Sequence, residues 1–422
     1  MKWLTSFLLV TVPFCSTLQS SQSPTNERWV LTSTRVYVAP DVPPIDNGWV
    51  IVAGATIEAV GEGARPAGLR INSACSGGVI VAGFQNSHVH FTDAAFADAA
   101  TRPAADLEGS LTHMLTRYGF TTVVDTGSLV DNTVALRQRI DRGDVRGPAI
   151  LTTGIPIYPP NGIPFYLRDL PPVVLSQLPQ PTTTEEALAV IRRNFASGAN
   201  GTKLFLATPQ GGGQIKRMPE DIARAAVTET HARDGLVMAH PTDPQGVRAA
   251  VAAGVDIVVH TTIDGPRGEP WSADLLRDLR ERNVSIIPTL RLWRYELDKA
   301  KVPVNIRDAI VAGAQAQIKA FAAAGGQVLF GTDVGYMSEF DPADEYALMA
   351  SAGLTPTEIL ASLTTAPAAR WKAGDRRGRV KQGFAADLAV LNGDPATDVG
   401  RFGDVKCTIR GGRELFARDQ SR

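Results

Sequence analysis

Apolar and polar positions alternate with a period of two near both ends of the chain. Residues 29–38 (WVLTSTRVYV) and 48–63 (GWVIVAGATIEAVGEG) show it on either side of Asp46-Asn47-Gly48. Residues 387–393 (DLAVLNG) and 405–417 (VKCTIRGGRELFA) repeat it, with Gly411-Gly412 placed for a hairpin turn. This pattern, rich in β-branched residues and punctuated by Gly and Asn, predicts short strands of a small sheet. The middle of the chain is different. Short apolar segments recur at 79–91, 121–128, 148–155, 201–208, 235–242, 256–262, 284–290 and 327–335. Helix-period stretches separate several of them, for example 107–119, 184–198, 221–235, 247–254 and 306–325, and these end on glycine, a common helix stop.

Eight strands alternating with helices predict an α/β fold, a (β/α)8 TIM-type barrel, with a doubly wound sheet as the structural rival. The two β-rich ends predict one small β-sandwich domain built from both termini. The expected boundaries are 27–83 with 377–422 for that domain and 84–376 for the barrel. From Gly154 to Pro181 there are eight prolines. A long, stiffened connection after the third strand falls on the face where barrel active sites lie, and is expected to wall or cover the site.

Composition narrows the function. Of 422 residues, 44% are hydrophobic and 20% charged, which excludes disorder as a whole-chain reading. With 42 basic and 43 acidic residues, the chain lacks the basic footprint of a nucleic-acid partner. Residues 1–20 carry Lys2, an apolar run and a polar tail, the pattern of a signal peptide and of an exported protein, periplasmic or secreted. Cys15 offers lipid anchoring as the weaker alternative. No other segment is long and apolar enough to span a bilayer. Cys75 and Cys407 both fall in the terminal β-domain; they are either two separate small apolar residues or one disulfide.

The six histidines carry the chemistry. His88 and His90, two apart at the end of the first barrel strand, point to the same side. Alone, such a pair is either a metal site or two polar residues at a strand end. His240 and His260 end the fifth and sixth strands, Asp333 ends the eighth, and Lys203 is the only charge in an apolar fourth strand. Burying these groups together without partners is costly, and divalent cations would offset the cost. Imidazole and carboxylate suit Zn²⁺, with Mn²⁺ or Fe²⁺ as alternatives. His113 and His231 lie on helices and read as structural. Asp125 ends the second strand at the same face. Arg291, after the seventh strand, is a candidate fork for a substrate carboxylate, or else a surface ion pair. Tyr158, in the proline-rich connection, is a second substrate-binding candidate. Gly211-Gly212-Gly213 lacks the Lys-Ser/Thr of a phosphate loop and reads as a flexible loop beside the site.

With HxH at 88–90, Lys203, His240, His260 and Asp333 in this order, the chain resembles the amidohydrolase superfamily over nearly its whole length. The stretch 354–395, ending in FAADLAVLNGDP, is similar to the family's shared ending. The branch it resembles includes imidazolonepropionases and metal-dependent Xaa-Pro and Xaa-Arg/Lys dipeptidases. The resemblance implies two divalent metal ions, Zn²⁺ first. One would take His88, His90 and Asp333, and the other His240 and His260. CO2 would be held as a carbamate on Lys203 and bridge both. It also implies a metal-bridging hydroxide as nucleophile, with Asp333 as the catalytic general base and then acid.

Two residues depart from the family pattern, Ala82 and Asn86 standing where Pro and Asp are usual. They leave the ligands intact and put a contact behind them in doubt. Lys203 argues against a true imidazolonepropionase and against a single-metal deaminase. The expected activity is hydrolysis of an amide or peptide C–N bond in a small molecule, as in an exported dipeptidase or N-acyl amino acid hydrolase. Cyclic amides, lactones, other esters, carbamates and phosphotriesters are alternatives, and a non-catalytic metal-binding barrel is the rival from another class. A homo-oligomer is left open.

Overall fold

The computed structural model describes residues 27–263 and 270–418. The leader expected over 1–20, with Cys15, lies outside the described residues. The protein is a mixed α/β structure. Strands from both ends of the chain join one nine-stranded sheet. Its main path runs Arg413–Ala417, Val405–Arg410, Leu388–Leu391, Gly78–Ala82, Arg28–Val36, Gly48–Ala53 and Thr56–Glu62. The two ends meet where Leu388–Leu391 pairs antiparallel with Gly78–Ala82, Leu388 opposite Ala82. Cys75 and Cys407 form a disulfide across this region, with 5.3 Å between their Cα atoms.

Alternation along Gly78–Ala82 explains why all five residues are buried. Ile80 and Ala82 enter a core with Trp29, Leu31, Leu388 and Ile409. Val79 and Val81 face the opposite way, into the large core shared with the helices. The apolar run 79–91, read from sequence as one strand, is therefore two. Gly83 separates Gly78–Ala82, in the terminal sheet, from Phe84–Val89, in a parallel sheet.

The middle of the chain forms two parallel sheets. Phe84–Val89, Phe120–Asp125 and Ala149–Thr152 make the first, and Gly201–Phe205, Leu236–His240, Ile257–Val259 and Ser285–Ile287 the second. Single parallel bridges connect them, Ile157 with Leu204, Ile286 with Val328 and Val89 with Val334. The eighth expected strand, 327–335, is present only through such bridges. Its backbone amides are used nonetheless: Asp333 N–H donates to His88 O at 2.9 Å, and Leu329 N–H to Ile286 O at 2.8 Å. A compact apolar group of Val124, Met238, Ile257, Val259, Ile287 and Leu329 fills the space between the strands. Helices such as Thr184–Ala196, Glu220–His231 and Val304–Ala323 cover the outside through their buried stripes.

Candidate metal centre

Parallel strands deliver their C-terminal ends to one side, and the expected ligands gather there. His88 Nε2 lies 3.2 Å from His90 Nε2. Asp333 Oδ1 is 2.9 Å from His90 Nε2 and 3.3 Å from His88 Nε2, and Asp333 Oδ2 is 4.0 Å from His260 Nε2. The rings of His88 and His260 stand 5.0 Å apart, as do those of His260 and His240. His88, His260 and Asp333 form a buried group whose ligand atoms all lie within 4.8 Å of one another, close enough to hold a metal ion. Lys203 is buried in strand Gly201–Phe205 with its amine 5.8 Å above the Phe205 ring. All six side chains line one cavity.

Local backbone geometry turns these side chains inward. His260 (φ +74°) and Asp333 (φ +62°) both take the left-handed conformation just past their strands, where a non-glycine residue is uncommon. Gly335 (φ +96°) lets the following turn pass against the first strand, because a Cβ there would lie 1.9 Å from His90 O.

Burial sets the charge states. It lowers His88 and His260 well below the usual imidazole range and pulls His240 down to about 3, with the Lys203 charge acting in the same direction. It also draws the Lys203 ammonium down to about 7, opposed by Asp333. Neutral imidazoles present free lone pairs, the form a cation needs. Two of the far nitrogens are engaged: His90 Nδ1 lies 3.2 Å from Gly127 O, and His260 Nδ1 2.5 Å from Thr289 Oγ1, while His88 Nδ1 is buried without a partner. Such contacts fix the ring and aim Nε2 at the centre. Asp333 Oδ1 is buried without a hydrogen-bond donor. A buried carboxylate oxygen without a donor, set among imidazole nitrogens, fits a bound cation better than any arrangement of these side chains alone.

Supporting residues surround the centre; Asn86 and Asp125 were flagged in the sequence, whereas Thr289 and Glu345 had no signal there. Asn86 donates to Thr332 Oγ1 at 2.7 Å and accepts from the backbone N–H of His88 and of Thr332, both at 3.2 Å. It thus ties the two ligand-bearing segments together, and the contact put in doubt by the absence of an aspartate is supplied by an amide. Asp125 accepts from Ser128, Thr133, Thr152 and the Gly127 amide, ordering the loop whose carbonyl holds His90. Thr289, a β-branched residue at φ +43°, precedes helix Leu290–Lys299. The first amides of that helix, of Leu290 and Arg291, donate to the Glu345 carboxylate at 2.9 and 2.8 Å.

The two substrate candidates separate. Tyr158 lines the cavity, its ring stacked 4.5 Å from Phe205, which stacks 4.7 Å from His240. Arg291 does not reach it. Its guanidinium donates to the carbonyls of Glu339 and Asp341 and pairs with the Glu339 carboxylate, beside a separate surface depression. With the helix start pinned by Glu345, the side chain emerges on the outer side. His113 is exposed and packs on Phe340, and His231 pairs with Asp256 at 2.8 Å, both away from the cavity. The proline-rich connection does form a wall, contributing Pro156, Tyr158, Phe165, Tyr166 and Leu170 among others. Gly211–Gly213 tip a hairpin, Ala207–Gly211 with Gln214–Arg217, over the same cavity.

The fold and this site define a hydrolase of the metal-dependent amidohydrolase type. The amidohydrolase family model matches residues 79–415, and the chain belongs to that family. The structure is similar to that of a Xaa-Pro dipeptidase with methionine bound in its active site (19% identity, 93% of this chain and 100% of that one, TM-score 0.78). It is similar as well to the ochratoxinase of A. niger (18%, 93% and 96%, TM-score 0.76) and to a molinate hydrolase (17%, 92% and 94%, TM-score 0.74). At these identities the likeness is one of fold. No curated protein matches the sequence significantly.

Proposed function

We propose that the protein hydrolyses the C–N bond of an amide in a small molecule, with His88, His90, Lys203, His240, His260 and Asp333 holding two divalent metal ions, Zn²⁺ first. The observation that carries this is the buried, donor-less Asp333 Oδ1 among imidazoles kept neutral by burial. Bound cations would supply Lewis acidity and lower the pKa of a water. Lys203, drawn toward its neutral form, can add CO2 at Nζ and release a proton, giving a carbamate anion that would be a further ligand for the ions. Asp333 takes a proton at a carboxylate oxygen and returns it to the departing nitrogen, so that amide plus water gives a carboxylate and a protonated amine. Tyr158 lies where it can contact the substrate.

The same reading takes residues 84–376 as a (β/α)8 barrel, supported by the bridges at Ile157, Val328 and Val334. It takes 27–83 with 377–422 as a β-sandwich domain, supported by their common core. The Cys75–Cys407 disulfide supports export after removal of 1–20, since such bonds persist in oxidising compartments. Of the substrates expected from sequence, those with an amide C–N bond agree with the family and with a small-molecule cavity.

Metal analysis of the protein reconstituted with Zn²⁺ and bicarbonate tests the centre. About two ions per chain are expected, and fewer than one would refute it. Lys203→Ala should lower the metal content and cut turnover by orders of magnitude, with partial recovery on adding short carboxylates. Full activity in that variant would reduce Lys203 to a strand residue.

A further inference from the structure

The cavity beside the six ligands has a volume of about 900 Å³, near the upper end of the ~300–1,000 Å³ typical of small-molecule sites. Its wall away from the ligands is apolar, made largely by the proline-rich connection, the 207–217 hairpin and the start of helix Leu290–Lys299. The mouth is apolar too. Leu129, Phe165, Leu170, Ile215 and Ile263 line it while 36–50% exposed, although side chains of this size are normally shielded from water. Five such residues around one opening form a patch of the kind that marks a binding surface.

Full charges on the lining have one sign outside the ligand set. Among the described residues it carries no arginine, and no lysine other than Lys203. Asp243 and Glu296 are its remaining acidic side chains among the described residues. The cations that answer them stand behind: Arg217 pairs with Asp243 at 2.5 Å, and Lys299 lies 3.7 Å from Glu296. Glu296 also accepts from the Tyr336 hydroxyl at 3.1 Å. A substrate carboxylate placed in this cavity away from the ligands would meet a mostly apolar wall, neutral polar groups such as Gln177 and Gln214, two acids whose cations are already engaged, and no free cationic side chain among the described residues. The fork that could have held it, Arg291, is engaged by Glu339 and Asp341 outside. Moving an ion into such surroundings without a partner is unfavourable.

From this wall, rim and charge pattern we infer that the physiological substrate is an uncharged amide with a bulky apolar or aromatic group, rather than a dipeptide or another amide ending in a free carboxylate. The inference rests on the proposed amide hydrolysis and specifies its substrate. The apolar group lies against Tyr158, Leu170 and Ile215, and the amide carbon sits at the ligand cluster. Water adds there to the carbonyl carbon, the C–N bond breaks, and the nitrogen leaves with a proton as an amine.

Two matched pairs test this on the full-length Zn²⁺-loaded protein. The first is an acyl anilide and the same anilide carrying a carboxylate on the ring, compared by kcat/KM. The second is the corresponding pair of ketones with CH2 in place of the amide N–H, which cannot be cleaved, compared by calorimetric binding. The uncharged member should be preferred at least ~10-fold in both pairs. Ile215→Asp, on the exposed rim, should weaken binding of the uncharged ketone several-fold while metal content stays unchanged. Glu296→Gln should narrow the gap between the two ketones. Equal or tighter binding of the carboxylated ketone would overturn the inference. Preferential binding of the uncharged ketone with no cleavage of either anilide would instead refute the amide hydrolysis and leave the assignment of the cavity standing.

Discussion

Thr289 joins backbone strain to metal chemistry through one hydroxyl. Its left-handed φ is unfavourable for a β-branched side chain, and it places Oγ1 at His260 Nδ1. Thr289→Val keeps the shape and removes the hydroxyl, so His260 loses the partner that fixes its ring. We expect metal affinity to fall ~10–100-fold, measured by competition with a chelator, while Thr289→Ser retains most of it. Equal affinity in the valine variant would leave the hydroxyl without a role at the centre. The candidate ligands were legible because the histidines and Asp333 lie at or near the ends of apolar runs, at a spacing the strand period interprets, and Lys203 is the one charge inside another such run. Thr289 and Glu345 were not, because their importance lies in hydrogen bonds between segments far apart in sequence. Arg291 shows the converse: its position after a strand suggested a substrate fork, and only the carbonyls of Glu339 and Asp341 reveal where it points.

Helix Leu290–Lys299 begins without a side-chain cap of its own, and Glu345 supplies one from helix Ala343–Ser351. Burial raises this carboxyl from 4.5 to about 7, against the pull of the two amides it accepts from. A carboxyl whose folded pKa is raised binds its proton more tightly in the native state. Its contribution to stability is fullest below about pH 4.5 and is lost as pH climbs toward 7. Denaturant unfolding of the wild type should therefore show a decline of up to ~3 kcal/mol across this window that is absent in Glu345→Gln. Parallel pH profiles for the two proteins would show that the amides keep Glu345 ionised throughout. Among elements, the long periodic helices and the buried strands could be read from the sequence. The division of 79–91 at Gly83 could not, since both halves are apolar and periodicity does not say which sheet a buried strand joins. The apolar run led the sequence reading to expect an eighth strand over 327–335, but that segment forms no strand and contributes only isolated bridges.

On the scale of the molecule, residues from the two ends share one sheet, one core and one covalent link. The disulfide spans 332 residues of sequence, and long closed loops restrict the unfolded chain most. Replacing Cys75 and Cys407 with serine should destabilise the protein by ~2–5 kcal/mol, read as a lower denaturant midpoint. The metal content should not change, because neither cysteine lines the cavity. An unchanged midpoint would mean the paired strands alone hold the ends together. That two β-rich ends combine was visible in their matching alternation, whereas their register, Leu388 opposite Ala82, depends on packing with the middle of the chain. This pairing also imposes an order in time. Gly78–Ala82 is made early, and Leu388–Leu391 follows about 300 residues later, ~15–60 s at the usual pace of synthesis. Until then one edge of the early strand lacks its partner, and the neighbouring segment that carries His88 and His90 has no finished base to rest on. The base beneath the candidate metal centre is therefore completed only once Leu388–Leu391 has been made.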